Sequence, residues 1–303
     1  MTVLRALAAT CLFLSIAACG TLPTRTQVLA EPAAVAAPTA AVASAPSAND
    51  NLNALAWMQT SVEFRLIAGQ TWRAALGQLD RALKTPGWDA LSREDRPAAS
   101  ALQGLPPAVI LDVDETVLDN SPYQARLVRA GSGFDDAAWA AWVNEQSARA
   151  VPGALEFVRA ATARGVSVFY ISNRAASVAE PTIANLRKAG FPIADASQFL
   201  GLGTQVAGCE AKGTDKGCRR QLVGRGHRVL MQVGDQLGDL VSIASNTPQG
   251  REQAVRPYLG WVGERWFVLP NPVYGSWEPA LFDNDWTRPE AERRQRKLDS
   301  LRH

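Results

Sequence analysis

The chain has 303 residues, 47% of them hydrophobic, enough to fill one or two full-sized globular cores without staples. Its 31 Lys and Arg nearly balance 29 Asp and Glu, and no basic stripe runs along it, which excludes a nucleic-acid partner held by a broad positive field. Function has to come from a local site rather than from the charge of the whole.

The first 19 residues carry an early Arg5 and then a mostly apolar run over 6–18. That run is too short for a permanent membrane span and has the layout of a secretory signal. It ends Ala17-Ala18-Cys19, which resembles a bacterial lipobox. The resemblance implies lipidation of Cys19, so that acyl chains anchor the protein to a membrane. An ordinary signal peptide with an incidental Cys19 is the alternative. Gly20 rather than Asp follows, which resembles an outer-membrane address, so the expected location is the cell envelope as an outer-membrane lipoprotein. Residues 20–50 are rich in Ala, Pro, Thr and Ser and too poor in large apolar groups to offset the entropy of ordering, which predicts a flexible tether.

Residues 51–105 form a helical N-terminal segment. Leu55, Met58, Val62 and Leu66, then Trp72, Leu76, Leu79 and Leu83, recur at three- and four-residue steps, predicting one long helix or two in series that end at Pro86-Gly87. After Pro106-Pro107 comes a continuous apolar run over 108–111, suited to a strand buried on both faces. Similar runs follow at 166–171, 229–233 and 266–269, separated by helical stretches such as 153–164 and 179–189. Alternation of this kind implies an α/β fold, a parallel sheet wound by right-handed crossovers, with its core over 106–285. The last stretch, 286–303, is a charged tail that reads as a solvated helix face over 288–299.

Of the four cysteines, Cys11 leaves with the signal and Cys19 carries the lipid, which leaves Cys209 and Cys218. Outside the cytoplasm an even pair forms a disulfide, two unpaired thiols being the other reading. With only His227 and His303 as imidazoles, a cysteine–histidine metal site is not expected.

Polar residues gather where the strands end, which is where open α/β sheets place ligands. Asp112 and Asp114 follow the first strand, and in extended chain positions i and i+2 project to one side. Two carboxylates so close require a cation or a shared proton. The second strand ends Ser172-Asn173-Arg174. Lys216 lies in a Gly-rich loop, and a later strand ends in Asp235, with Asp239 four residues on.

DVDET at 112–116, SNR at 172–174, the loop Lys216 and GDQLGD at 234–239 resemble, in this order, the four motifs of the haloacid dehalogenase (HAD) superfamily. LDVDETVLDNSPYQ, WAAWV at 139–143, VPGALEF, YISNR, LPNPVYGSWE and the helical AWMQTSVEFRLIAGQTWRAAL narrow the resemblance to the class C bacterial acid phosphatases, lipoproteins that include 5′-nucleotidases. The resemblance implies a HAD-like Rossmannoid sheet with a small helical N-terminal or cap portion. It also implies hydrolysis of phosphate monoesters, nucleoside 5′-monophosphates among them, with Mg²⁺ as cofactor. Asp112 would be the nucleophile that forms an aspartyl-phosphate, and Asp114 the acid and then the base. Ser172, Asn173 and Lys216 would bind the phosphoryl group. The metal would be held by the carboxylates of Asp112 and Asp235 and the backbone carbonyl of Asp114, with Asp239 supporting Lys216 or a metal-bound water. Trp139 and Tyr274 would sandwich a nucleobase. A homodimer rests on the resemblance alone. Two other readings are a phosphotransferase using the same intermediate and a non-catalytic lipoprotein that binds at the cell surface; the intact quartet Asp112, Asp114, Lys216 and Asp235 argues against the second.

Overall fold

Two helices open the described part of the chain. α1 (Leu52–Thr60) and α2 (Val62–Lys84) are separated at Ser61, whose backbone is extended and whose hydroxyl accepts a hydrogen bond from the Phe64 amide at 3.0 Å. That is an N-cap, and it makes the N-terminal segment two helices in series rather than one. The computed structural model describes residues 49–96 and 102–302; the leader, Cys19 and the tether up to residue 48 lie outside the described residues. Among the described residues no helix is long and apolar enough to cross a membrane.

The central strand β1 (Pro107–Leu111) is followed by a small excursion: β2 (Leu118–Asp119), α3 (Ser121–Ala130), α4 (Asp136–Glu145) and β3 (Arg149–Ala150). β2 and β3 pair antiparallel, so the excursion returns to where it left. Alternating units follow: α5 (Ala154–Ala163), β4 (Ser167–Ala175), α6 (Ala179–Lys188), β5 (Phe199–Leu202), α7 (Gly217–Gly226) and β6 (Arg228–Gly234). α8 (Leu237–Leu240), α9 (Pro248–Val255), β7 (Trp266–Val268) and the exposed tail helix α10 (Glu290–Asp299) complete the chain.

Five strands pair all-parallel in the order β5-β4-β1-β6-β7. β1 occupies the middle, and its alternating side chains feed two layers. Val109 and Leu111 join the large core formed with Ala68, Trp72 and Leu79 of α2 and Phe157 and Val158 of α5. Ala108 and Ile110 face the second core, with Val223 of α7, Tyr258 and Trp266. A strand covered on both faces has to be apolar throughout, which is why β1 reads as a continuous run. β5 escaped the sequence reading because its four residues, Phe-Leu-Gly-Leu, are too few and too glycine-marked to show a pattern.

α2 is a layer of the core, not a cap over the site. It approaches α5 so closely that a Cβ at Gly153, where φ is +91°, would lie 2.9 Å from Trp72 Cβ. The segment that follows α2 is stitched to β6: the Trp88 indole donates to the Leu230 carbonyl at 2.7 Å, and the Gln232 amide donates to the Ala90 carbonyl at 2.7 Å. Cys209 and Cys218 are joined in a disulfide. With a sequence separation of 9, it closes a short loop, worth roughly 3 kcal/mol on the chain-entropy account.

The C-terminus of α2 is closed by a side chain from far away in sequence. The Arg228 guanidinium donates to the carbonyls of Ala82, Leu83 and Thr85, each at 3.0 Å, which a helix end otherwise leaves unpaired. Arg228→Ala should therefore lower the unfolding free energy by about 1–3 kcal/mol, read by denaturant titration; an unchanged midpoint would mean that water caps this end as well.

Candidate active site

The β4, β1 and β6 strands are neighbours, and the chain leaves β1 first toward β4 and β5 and later returns to β6 and β7 on the other side. The crevice outside the carboxyl end of β1 is where such a sheet reverses direction, and the polar residues converge there. Asp112 is placed by its backbone N–H, which donates to the Val233 carbonyl of β6 at 2.9 Å. The following turn is tight. Glu115 has φ of +55°, and its carboxylate accepts from the Asn120 backbone N–H at 2.8 Å. Burial, reinforced by the Asp114 charge, pushes the Glu115 carboxyl well above the usual range.

Three carboxylates meet in the crevice. Oxygens of Asp112, Asp235 and Asp239 lie within 4.8 Å of one another, Asp112 and Asp239 buried and Asp235 half-buried. One ammonium faces them. Lys216, at the start of α7, pairs with Asp112, lies 2.7 Å from Asp239 Oδ1 and donates to the Ile171 carbonyl at 2.8 Å, which uses all three of its donors. Burial alone would lower the Lys216 pKa, but the charges of Asp112 and Asp239 override it and the net shift is upward. The Thr116 hydroxyl bridges, 3.1 Å from Asp112 Oδ2 and 3.4 Å from Asp235 Oδ1. Gln236 and Asn271 donate side-chain amides to Asp235 Oδ2, each at 2.8 Å. Asp239 comes so close to the end of β6 that a Cβ at Gly234 would lie 2.3 Å from its carboxylate, which explains the glycine.

The cluster holds more negative charge than Lys216 balances. Burial first, and then the neighbouring carboxylates, push Asp112 well above its ordinary pKa against the pull of Lys216. Asp235 is pushed up to about 7 by burial and the Asp239 charge. Oxygen-only donors with surplus negative charge fit a hard divalent cation.

Asp114 belongs to a different environment. Its carboxylate lies outside the three-carboxylate cluster and is held by the buried Arg174, through Nε at 2.9 Å and Nη2 at 2.8 Å, by the Asn120 amide at 2.9 Å and by the Ser172 hydroxyl at 3.2 Å. Behind them stands α4: the Trp142 indole donates to Asn120 Oδ1 at 2.8 Å, and the Arg174 guanidinium lies 5.3 Å above the Trp139 ring. The two acidic groups two residues apart are thus separated by their partners, one facing an ammonium and the other a guanidinium.

The residues singled out in the sequence fall into three groups. Asp112, Asp235, Asp239 and Lys216 come together directly. Ser172 is fully buried, with its hydroxyl turned to Asp114 and accepting from the Arg174 amide at 3.0 Å, while exposed Asn173 accepts from Arg219 at 2.7 Å. Trp139 and Tyr274 pack on different clusters. Trp139 stacks edge-on against Tyr123, and Tyr274 packs with Leu55, Met58 and Phe64, its backbone tied to the site through Gln236 and Asn271. Sequence reasoning placed Arg174 at a strand end without giving it a role, and missed Asn120, Arg219, Arg220, Gln236 and Asn271. Arg174, Asn120, Gln236 and Asn271 stand inside the quoted motifs, and a search for a partner to each strand-end carboxylate finds them. Arg220 gives no such signal: it pairs with Asp95, both fully buried, and donates to the Gly238 carbonyl at 2.8 Å, so it ties α7 to the loop of Asp239.

Comparison with known proteins gives one coherent answer. Residues 48–277 match the family model for the HAD superfamily, subfamily IIIB (Acid phosphatase). Acid phosphatase 1 of Solanum lycopersicum is 29% identical over 165 residues, and a 31 kDa stem glycoprotein of Glycine max is 28% identical. The tomato match takes in 54% of this chain and 57% of that protein, so the chain spans little more than half the length of the curated relatives it matches. The class C acid phosphatase of Bacillus anthracis, whose crystal structure holds tungstate, superposes with a TM-score of 0.71 at 33% identity, covering 84% of this chain and 97% of that one. By the family model and by the structural likeness, the chain belongs to the acid phosphatase subfamily IIIB of the HAD superfamily.

Proposed function

We propose that the protein hydrolyses phosphate monoesters through an aspartyl-phosphate on Asp112, with Mg²⁺ bound among Asp112, Asp235 and Asp239. The observation that carries this reading is the division of labour between the two aspartates: Asp112 in a charged cluster beside Lys216, Asp114 apart from it on Arg174. An Asp112 oxygen attacks phosphorus while the ester oxygen leaves and takes a proton from Asp114. Asp114 then accepts a proton from the water that cleaves the acyl phosphate, returning Asp112 as a carboxylate. Lys216 holds Asp112 in line and opposes the charge of the phosphoryl oxygens, since positioning and electrostatics dominate this chemistry. Arg174 and Asn120 fix the direction in which Asp114 presents its proton. Bound Mg²⁺ supplies positive charge against the transferring phosphoryl group.

A groove of about 620 Å³ runs between Asn53, Ala54 and Trp57 of α1 and the loop Pro270-Asn271-Pro272, and Asn271 is the residue that donates to Asp235. Aromatic side chains at Trp139 and Tyr274 support a nucleoside as leaving group, because stacking accepts any base. If so, adenosine competes with an aryl phosphate for the wild-type enzyme, and Trp139→Ala weakens that competition by about tenfold while sparing the aryl ester. Equal adenosine inhibition in both proteins would remove Trp139 from the substrate site.

Asp112→Asn removes the nucleophile and relieves repulsion in the cluster, so the fold should persist. Phosphate release from an aryl phosphate and from a nucleoside monophosphate should fall by roughly 10³-fold or more, with the far-UV spectrum unchanged. Undiminished turnover in this variant rules out the covalent route.

The raised carboxyls also make a prediction about pH. A carboxyl with an elevated folded-state pKa keeps a proton that the unfolded chain has already released. Its contribution to stability therefore falls as pH climbs from the ordinary carboxylate range toward about 7, the value for Asp235. In chelator, Asp235→Asn should melt above the wild type at pH 8, with the gap closing toward pH 4. Added Mg²⁺ should reverse the order at pH 8, because the wild type alone gains from binding. A gap independent of pH and metal would show that Asp235 takes no part in cation binding.

A further inference from the structure

We propose that the Cys209–Cys218 disulfide acts as a positioning clamp for Lys216, so that its reduction slackens the site's resident cation and lowers both phosphate affinity and turnover. The turnover half of this inference rests on the phosphatase reading; the binding half does not.

The connection from β5 to α7 runs from Leu202 to Gly217 without a helix or strand. Gly203, Gly208 and Gly213 in it all have positive φ, and residues 210–214 are exposed. Its backbone hydrogen bonds are short-range: Thr204 to Gly201, Cys209 to Val206 and Asp215 to Lys212. A segment of this kind has little of its own to fix its far end. Yet that far end is Lys216, a buried residue whose ammonium must meet Asp112, Asp239 and the Ile171 carbonyl at once. Cys218 lies two residues beyond it, buried in the first turn of α7. The covalent bond thus ties the middle of the loop to the helix start that carries Lys216, and leaves a closed ring rather than a free arm leading into the site.

The other contacts at the start of α7 do not touch the Lys216 side chain, whose partners are Asp112, Asp239 and the Ile171 carbonyl. Arg219 donates to the Ser172 carbonyl at 2.5 Å, and Arg220 pairs with Asp95. Asp215 accepts from Gly217 N at 2.7 Å and from the Ser242 hydroxyl at 3.1 Å. With α7 anchored in this way, breaking the disulfide loosens the approach to Lys216 and leaves the helix in place. The reaction is a two-electron exchange. A dithiol reductant gives up two electrons and two protons, becomes a cyclic disulfide, and leaves thiols at Cys209 and Cys218. Half-buried Cys209 is the sulfur open to attack.

The test compares the Mg²⁺-loaded oxidised protein, the same protein after dithiothreitol with two thiols counted, and a Cys209→Ser/Cys218→Ser variant, all well below their melting temperatures. Inorganic phosphate binding by calorimetry should weaken by about tenfold in the reduced protein and in the variant, and kcat should fall by a similar factor. Amide exchange should speed up across 203–217 while the later turns of α7 stay protected. The variant should no longer respond to dithiothreitol. If it fails to fold, the reduced wild-type protein still decides, since its exchange pattern reports whether α7 is intact. Reduced protein that binds phosphate and exchanges like the oxidised form overturns the clamp. An oxidised protein that binds phosphate but releases none from any ester overturns the phosphatase reading instead, and the binding and exchange comparison still judges the clamp.

Discussion

Everything in this site follows from placing three carboxylates around one buried ammonium. Lys216 touches two of them, and a hydroxyl and two side-chain amides donate to Asp112 and Asp235, which leaves carboxylate lone pairs open. Removing charges from water is costly unless their partners are close and well aimed, and here the partners balance only part of the charge. Burial first, and then the neighbouring carboxylates, raise the pKa of both Asp112 and Asp235. A cluster left under-neutralised in this way suits the further cation and the anionic substrate proposed above.

The same constraint explains why Asp114 is kept apart. A fourth carboxylate in the cluster would raise its neighbours further and share their protons. Instead a strand-end arginine, fully buried against Thr182 and Asn120, takes the Asp114 carboxylate to the β4 side of the crevice. Two acids separated by one residue thereby acquire different partners and, in the mechanism proposed above, different tasks. The excursion of α3 and α4 between β1 and α5 is what makes this arrangement possible. It supplies Asn120 and the indole of Trp142 behind the Asp114 contact, while the short β2–β3 pairing returns the chain to the sheet.

What the sequence displays and what it hides divide along range of interaction. β1, β4, β6 and β7 were legible because each is a continuous apolar run covered on both faces, and the aspartates were legible because they stand at the ends of those runs. The break between α1 and α2 was left open, since the apolar period continues through Ser61 and the cap depends on one hydroxyl. β5 was not seen, having too few residues to carry a period. The anchors of the site were hidden for another reason. Asp95 lies 125 residues from Arg220, and Asn271 lies 36 residues from Asp235, and neither sits in a patterned run that points to its partner. An arginine in a helix reads as surface charge until the fold shows it without solvent.

Those distant anchors change where the site's rigidity has to be sought. Asp112 and Asp235 stand directly at strand ends, but Lys216 and Asp239 stand at the first turns of α7 and α8, whose places depend on what ties those helix starts down. Arg220 joins the start of α7 to the carbonyl of Gly238 and, through Asp95, to the segment that follows α2. That segment is itself fastened to β6 by Trp88 and Gln232, and α2 is closed at its end by Arg228 from the first residue of β6. α2 and the segment after it thus form a back wall behind the first turns of α7 and α8, and they contribute no side chain to the three-carboxylate cluster. Substitutions there should reach Asp112 only by way of Lys216 and Asp239, because the backbone of Asp112 is placed by its own bond to β6.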